Sequence, residues 1–580
     1  MERTPTPSSA SHTEPEKPTK SQASTSNDYA DTEENFNPKS VKFWLIIISI
    51  YMCFFLVALD RMIIATAIPA ITNTFDSIAD IGWYGSAYML ACAIFGPFFG
   101  KLYQIYNTKW TFLISIIIFE VGSVVCGAAP SSTACENDCP KFTVVYWLTT
   151  SSVIIGRTIA GAGAAGISNG AIMVTVSLVP LRKRPVFTGL FGLAFGVSSV
   201  LGPFLGGTFT DSRSLGWRWC FYINLPIGAF TFVAVLFFLR IKAPPKTTLS
   251  IFAQIKRLDP IGLLFFAPSM VCLILALQWG GTTDPWSAPK IIGLFVAFAV
   301  TFIAFLIVEF KMPETAMAPR RVVCNRSMAG AMLFAFIISG SMMNVFYYIS
   351  IWFQAAQGQS AMQGGVRTIP MVVSLVLTGI INGAITQKIG YYNPSMFMTP
   401  ILTSVAAGLL SMLTPHSGSN EWIGYQIFFG IGLGFGLQST NLVAQTVLPQ
   451  RDVSLGIANI MFMQQQGGAI FLAVGQNIFS QQLVKQLSGI ADLNTQAVIN
   501  TGATDLRKIV PVNEIDTVID AYSYSLTRVF ILSAALSAFV IIATFMVEWR
   551  SIKKGAGPST KENKDLEKDA ETEKEAEGDK

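Results

Sequence analysis

An all-α protein that crosses a lipid bilayer many times is the fold class this sequence predicts, on three observations. Apolar runs recur along nearly the whole chain, each about as long as the ~20 residues a helix needs to cross the hydrocarbon layer. Only 13% of the residues are charged against 51% hydrophobic, with a mean hydropathy of +0.50, where a soluble chain carries about 25% charged residues. Lysine and arginine, finally, gather in every second connection between the runs. The net charge of +5 is therefore a matter of membrane topology, and no nucleic-acid partner is expected from it.

Taken in order, residues 1–41 are rich in Ser, Thr, Pro, Glu and Lys. That composition cannot bury a core and predicts a disordered cytosolic tail. No cleavable signal peptide is expected before the first run, which is long enough to act as a signal anchor. Fourteen spans follow, near 42–67, 82–103, 109–128, 147–178, 185–207, 217–240, 259–279, 290–310, 328–353, 366–387, 394–413, 421–446, 454–480 and 525–548. The fourth is longer than a bilayer requires, so it tilts or projects.

Connections after even-numbered spans carry Lys101, Lys109, the Arg182–Lys183–Arg184 run, Arg240, Lys256, Arg257, Arg320, Arg321, Lys388 and Arg451. Those after odd-numbered spans carry few bases and several acids, among them Asp76, Glu136, Asp284 and Glu421. The positive-inside rule then puts the even connections and both termini in the cytosol. It also leaves the Asn325-Arg326-Ser327 triplet inside and unglycosylated, and the segment 481–524 outside. Residues 551–580 are charged and low in complexity, a second solvated tail.

Two histidines and eight cysteines, none in metal-ligand spacing, predict no metal site and no cofactor. Cys135 and Cys139 share a short outside loop. They are candidates for a disulfide if that loop meets an oxidising compartment, and two free thiols otherwise.

Four charges fall well inside predicted spans: Asp60 and Arg61 in the first, Glu120 in the third and Arg157 in the fourth. Each costs on the order of 3 kcal/mol or more at mid-depth, so intramembrane charge marks function or a paired partner. Asp60 and Arg61 lie about 100° apart on a helix and cannot pair well with each other. Asp60 and Arg157 both lie toward the outer half. A carboxylate facing a water-filled cavity beside a cation can exchange a proton as the cavity changes exposure, and a static ion pair holding two helices in register is the alternative. Glu120 is a second proton-coupling candidate that nothing in the sequence places on the cavity side. Arg61 is expected to orient neighbouring helices or to pair with Glu120.

The fourth span (GRTIAGAGAAGISNG) shows a face of small residues suited to close helix packing. In the fifth, Pro203 frees a carbonyl and bends the helix, and Gly202, Gly206 and Gly207 keep the bend closely packable. The second half carries amides instead of acids. An apolar pocket with a few such groups suits an uncharged or weakly polar organic ligand, and Asn344, Tyr348, Gln438, Asn441, Gln445 and Gln465 are its candidate lining. GIGLGFGL (430–437) and GPFFGKL (96–102) lack the context of a nucleotide loop, so uphill transport must draw on an ion gradient.

The motifs LDRMIIATAIPAI, IIGRTIAGAGAAG, GPFLGGTFTD and WRWCFYINLPIG resemble those of the 14-span drug:proton antiporters of the major facilitator superfamily. So do the later stretches QWGGTTDPWSAPKIIGLF, YYISIWFQAAQGQSAMQGGVRTIP and VLPQRDVSLGIANIMFMQQQGGAIF. The resemblance covers about residues 42–550 and is closest to fungal toxin and multidrug efflux carriers.

It implies the major facilitator fold: a six-helix bundle at 42–240, two additional spans in a 241–327 linker and a second six-helix bundle at 328–550. It also implies alternating access by rocking of the bundles, proton coupling through Asp60 and Arg157, and an antiporter hinge at Gly202, Pro203, Gly206 and Gly207. Its partners would be protons, a small hydrophobic organic substrate and the lipid bilayer. A monomer in the plasma membrane is expected, with the vacuolar membrane as the other location.

One departure stands out. The superfamily's second-to-third-span loop carries an acid, whereas GKLYQIYNTKW has Gln104 there, so a charge-relay gate in that loop is not expected, though Lys101 and Lys109 remain.

The implied function is proton-coupled efflux of hydrophobic compounds. A permease for basic amino acids or an iron–siderophore on the same scaffold is the alternative, but it would favour acids in the second half, which has few. A membrane sensor would carry a soluble signalling domain, and an enzyme a nucleophile constellation, and the sequence offers neither.

Overall fold

The structure, a computed structural model, describes residues 38–75, 81–129, 143–212, 215–241, 254, 256–281, 284–312, 315–488 and 514–553. Fourteen helices of fifteen residues or more occur among them, one on each predicted span. They are α1 (Val41–Phe75), α2 (Ile81–Ile105), α3 (Thr108–Gly127), α4 (Thr143–Leu178), α5 (Arg184–Asp211), α6 (Asn224–Phe238) and α7 (Pro260–Trp279). Then come α8 (Pro289–Lys311), α9 (Arg326–Ala355), α10 (Ile369–Ile389), α11 (Asn393–Leu410), α12 (Ser419–Gly436), α13 (Val453–Leu487) and α14 (Ile515–Met546). Helices are what a bilayer permits, since each satisfies its own backbone polar groups without water.

Eleven of the described helices are long and apolar enough to cross a membrane by length and composition. The three long helices outside that set are α2, α11 and α13. The last owes its lower hydropathy to the amides Asn459, Gln464, Gln465, Gln466, Gln476 and Asn477.

Span boundaries shift in three places. One-turn helix Trp219–Tyr222 precedes α6, and α12 continues after a break as Ser439–Val447. The outside segment predicted at 481–524 is shorter at both ends, because α13 runs on to Leu487 and α14 already begins at Ile515. Both tails beyond 38–553, the Cys135–Cys139 loop and residues 489–513 lie outside the described residues.

The packing repeats itself. In the first half α1 packs on α5, α6 and α4, α4 on α2 and α3, and α3 on α6. Eight helices further on, α9 packs on α13 and α14, α12 on α10 and α11, and α11 on α14. The two bundles meet along α5–α10 and α2–α13, a pair of contacts that the same repeat exchanges.

The inserted helices pack mainly on each other, with α7 reaching α2 and α13. There Phe266 packs against Phe462 of α13 with the rings tilted by 60° and their centroids 5.2 Å apart. On α8, Ile292, Val296, Val300, Ile303, Ile307 and Phe310 are all exposed. Their three- and four-residue spacing makes one continuous lipid-facing stripe.

Asn325 of the Asn325-Arg326-Ser327 triplet caps α9, its side chain accepting hydrogen bonds from the Ser327 and Met328 amides at 3.1 and 3.3 Å.

Candidate functional site

Asp60 and Arg157 come together as the sequence suggested. Arg157 donates from Nη1 to Asp60 Oδ2 at 2.5 Å, and both side chains are 1% exposed. The rest of the guanidinium is also occupied: Nε donates to the Tyr84 carbonyl at 2.9 Å, and the Tyr88 ring lies 4.3 Å away. The second carboxylate oxygen accepts from Asn224 Nδ2 at 3.2 Å, and the same amide donates to Ser123 Oγ at 3.1 Å. A desolvated pair is tolerable only with its remaining donors and acceptors satisfied in this way.

Two glycines bring the helices close enough. A Cβ at Gly161, one turn after Arg157, would overlap the Tyr88 carbonyl, so its absence lets α4 lie against α2. A Cβ at Gly202 would come within 2.6 Å of the Met62 Cβ, so α5 closes on α1 beside the charged dipeptide.

Below this pair the two bundles enclose a cavity of about 150 Å³. Phe54, Arg61, Tyr88, Cys92, Asn169, Phe191 and Phe195 line it from the first bundle. The second contributes Met342, Met343, Leu375, Gln438, Asn441, Met461, Gln464 and Gln465. Asp60 is not in its wall. The Tyr88 ring, which lines the cavity, also lies over Arg157, so the pair is one residue removed from the cavity and Asp60 is not directly exposed to it in this conformation.

The remaining sequence candidates divide. Gln438, Asn441 and Gln465 do line the cavity, with Asn441 donating to Gln438 at 3.3 Å. Asn344, Tyr348 and Gln445 do not. Asn344 and Tyr348 share the face of α9 that meets α13, where Asn344 lies against Gly475 and Tyr348 donates to Gln476 at 3.0 Å. Gln445 is buried one turn beyond Asn441, outside the lining.

The proposed Arg61–Glu120 pairing is also corrected. Arg61 Nη1 donates to Gln465 Oε1 at 3.2 Å, across from one bundle to the other. Glu120 lies between α3 and α6, over Gly228, and its carboxylate oxygens have no hydrogen-bond partner among the described residues. Helix α5 runs unbroken through Gly202, Pro203, Gly206 and Gly207.

A polar floor closes the end of the bundles where the basic residues gather. Gln104 donates to Asp452 at 2.9 Å, and Arg321 forks onto both oxygens of that carboxylate at 3.0 Å. Close by, the short strap Ala316–Ala318 is held from three sides. Lys101 of α2 donates to the Ala316 carbonyl at 3.2 Å, and Asn459 of α13 to the Met317 carbonyl at 3.4 Å. Glu309 of α8 accepts from the amides of Met317 and Ala318 at 3.1 and 3.2 Å. Gln104, near the end of α2, thus ties the first bundle to the second where the sequence lacked an acid.

Sequence reasoning missed Asn224, Asp452, Arg321 and Glu309. The INLPIG stretch and the paired Arg320–Arg321 were the available signals. Arg528 was missed too, since α14 begins ten residues before the predicted span and puts this residue in the helix interior, stacked 4.1 Å over Tyr524.

A sequence-family profile described as Major Facilitator Superfamily matches residues 50–472. Over 518 residues the chain is 45% identical to the MFS-type efflux pump MFS1 of Arthroderma benhamiae, covering 88% of this chain and 92% of that protein. It is 44% identical over 516 residues to efflux pump roqT of Penicillium rubens, again 88% and 92%. With efflux pump aflT of Aspergillus parasiticus it shares 42% over 524 residues, covering 90% and 98%. Among solved structures, the proton:xylose symporter XylE superposes with a TM-score of 0.53 at 14% identity, covering 88% of this chain and 96% of that one. A bacterial homologue of the human lysosomal transporter Spinster, in an inward-facing conformation, gives 0.51 at 14%, covering 90% and 100%. Identities this low speak for the fold alone.

Proposed function

The chain belongs to the major facilitator superfamily, and from that premise we propose that it is a proton-coupled exporter of hydrophobic organic compounds, fungal secondary metabolites or drugs. All fourteen long helices act as spans, with both termini cytosolic and a monomer in the plasma membrane as the working unit. The observation that carries this reading is the buried Asp60–Arg157 pair, one aromatic ring behind the wall of a cavity shared by the two bundles.

Rocking of the bundles changes which side the cavity faces. With Tyr88 moved aside, Asp60 takes a proton from outside, leaves Arg157 and later releases that proton inward. Gln104, Asp452 and Arg321 hold the cytosolic end shut during the outward-facing part of the cycle. The efflux names of relatives at 42–45% identity support the direction of transport. The cavity's one formal charge is that of Arg61, which disfavours a basic amino acid as cargo.

The test is accumulation of a panel of hydrophobic drugs and fungal toxins in yeast lacking its own pumps. Wild type and Asp60→Asn are expressed at matched levels, with and without a protonophore. Lower accumulation with wild type, abolished by the substitution and by the protonophore, supports the reading. Equal export by Asp60→Asn removes Asp60 from the coupling step and moves the search to Glu120.

A further inference from the structure

Two arginines lie within the spans of the first bundle and a third at the first residue of α5, and they are held very differently. Arg157 has a carboxylate, a carbonyl and an aromatic face. Arg184 donates to the carbonyls of Val179 and Val176, both at 2.8 Å, and so closes the end of α4. Each of the two thus has at least two hydrogen-bond acceptors within its own bundle. Arg61 has a single hydrogen bond, to a neutral amide oxygen of the opposite bundle at 3.2 Å. No carboxylate pairs with it among the described residues, and it is the one formally charged side chain in the cavity lining.

A charged group at such depth is stable only beside a counter-charge or water, and a guanidinium fork matches a planar carboxylate better than it matches an amide. The wall around it suits the rest of such a ligand. Phe54, Phe191 and Phe195 face Met342, Met343 and Met461 across the cavity, surfaces that accept an aromatic or polycyclic body without dictating its outline.

We infer that the cargo is a hydrophobic organic acid exported as its anion, its carboxylate or comparably acidic enol seated on Arg61 in place of Gln465 Oε1. This rests on the efflux reading above and adds a substrate class to it. Gln465 is then the group that occupies the guanidinium between cargoes, and because it comes from the second bundle, its exchange for an anion releases a contact between the two halves. A neutral compound of equal size gains the apolar surroundings alone.

The experiment uses the purified full-length protein in lipid nanodiscs, with empty nanodiscs to correct for partitioning. Two acid–alcohol pairs serve as probes: 1-pyrenebutyrate with 1-pyrenebutanol, and dehydroabietic acid with dehydroabietyl alcohol. Wild type is expected to bind the acid of each pair at least tenfold more tightly than the alcohol. Arg61→Gln should remove the preference for the acid or reverse it, because an apolar pocket without a counter-charge penalises the anion, while Arg61→Lys keeps part of the preference. Gln465→Glu supplies a built-in counter-charge and should abolish the preference with Arg61 still present, which covers the case of a poorly folded Arg61→Gln.

No preference in wild type, binding of neither acid, or a preference that survives both Arg61→Gln and Gln465→Glu overturns the inference. Failure here is distinct from failure of the efflux reading. Proton-dependent export of neutral compounds without acid selectivity sinks this inference alone, and acid-selective binding without export sinks the efflux reading.

Discussion

The two bundles share one packing scheme and differ in their polar chemistry. In the first, α1 and α4 are joined by a buried ion pair whose carboxylate also accepts from Asn224. In the second, the matching pairing is that of α9 with Ser439–Val447, the continuation of α12; the helices carry amides instead, and no ion pair lies within its spans among the described residues. Several of those amides, including Asn344, Gln426, Gln445 and Gln466, have no hydrogen-bond partner among the described residues. Since the second bundle assembles the same helix pairings without an ion pair, the pairings cannot be the reason the first bundle has one. An ion pair confined to one copy of a repeat points to a task that only that copy performs.

The comparison breaks most visibly if the ion pair proves structural. Arg157→Ala leaves Asp60 buried and unpaired, which costs about 3–5 kcal/mol, read as a lower thermal unfolding temperature of the purified protein. The double variant Asp60→Asn/Arg157→Leu removes both charges and should recover most of that loss while exporting nothing. If it stays as unstable as the single variant, the first bundle needs its ion pair where the second does not, and the argument from the repeat fails.

A smaller effect is expected at the floor. Gln104→Ala removes a hydrogen bond to a carboxylate, a bias of about 1.5–3 kcal/mol toward opening. A cysteine placed at Ala458, now covered by Gly100 of α2, should then react about tenfold faster or more with a thiol reagent added from the cytosolic side. Unchanged labelling would mean that Gln104 does not hold the bundles together.

Within the second bundle, Gln438→Ala and Asn441→Ala should each raise KM by roughly fivefold, the equivalent of about 1 kcal/mol for one hydrogen bond. Gln445→Ala should leave KM unchanged, because its side chain is outside the lining. A KM effect from Gln445 equal to that of Asn441 would show that the cavity extends a turn deeper during transport. The smallest change is expected on the lipid face of α8, where Val300→Ala should alter stability by no more than about 0.5 kcal/mol.

Much of this was legible in the sequence because a bilayer enforces simple rules. Every predicted span carries a helix, and the Asp60–Arg157 pairing followed from two charges of opposite sign at similar depth. The amides were harder. Asn344, Gln438, Asn441 and Gln445 look alike along the chain, and only the helix packing separates a seam that faces α13 from a wall that faces the cavity. Glu309 and Asp452 were passed over because each sits at the edge of a span, where a charge costs little and carries no signal. Their importance comes from the strap and the opposing bundle, contacts across 8 to 348 positions of sequence. The full length of α14 was hidden because its first turns, with Asp516 and Asp520, are too polar to register as membrane-embedded.

The lone guanidinium of Arg61 has an electrical consequence. On the proposed cycle the returning carrier holds its proton on Asp60, so Arg61 and Arg157 give it two positive charges, whereas a monoanionic cargo beside the deprotonated pair leaves the loaded cavity neutral. Voltage across the membrane then acts on the return of the empty carrier and not on the loaded stroke. Full exposure of one charge to a 100 mV difference is worth about 2.3 kcal/mol. In a cell that is negative inside, that force pulls the empty cavity toward the cytosol, where the next cargo waits. The resting potential itself resets the pump to its loading position.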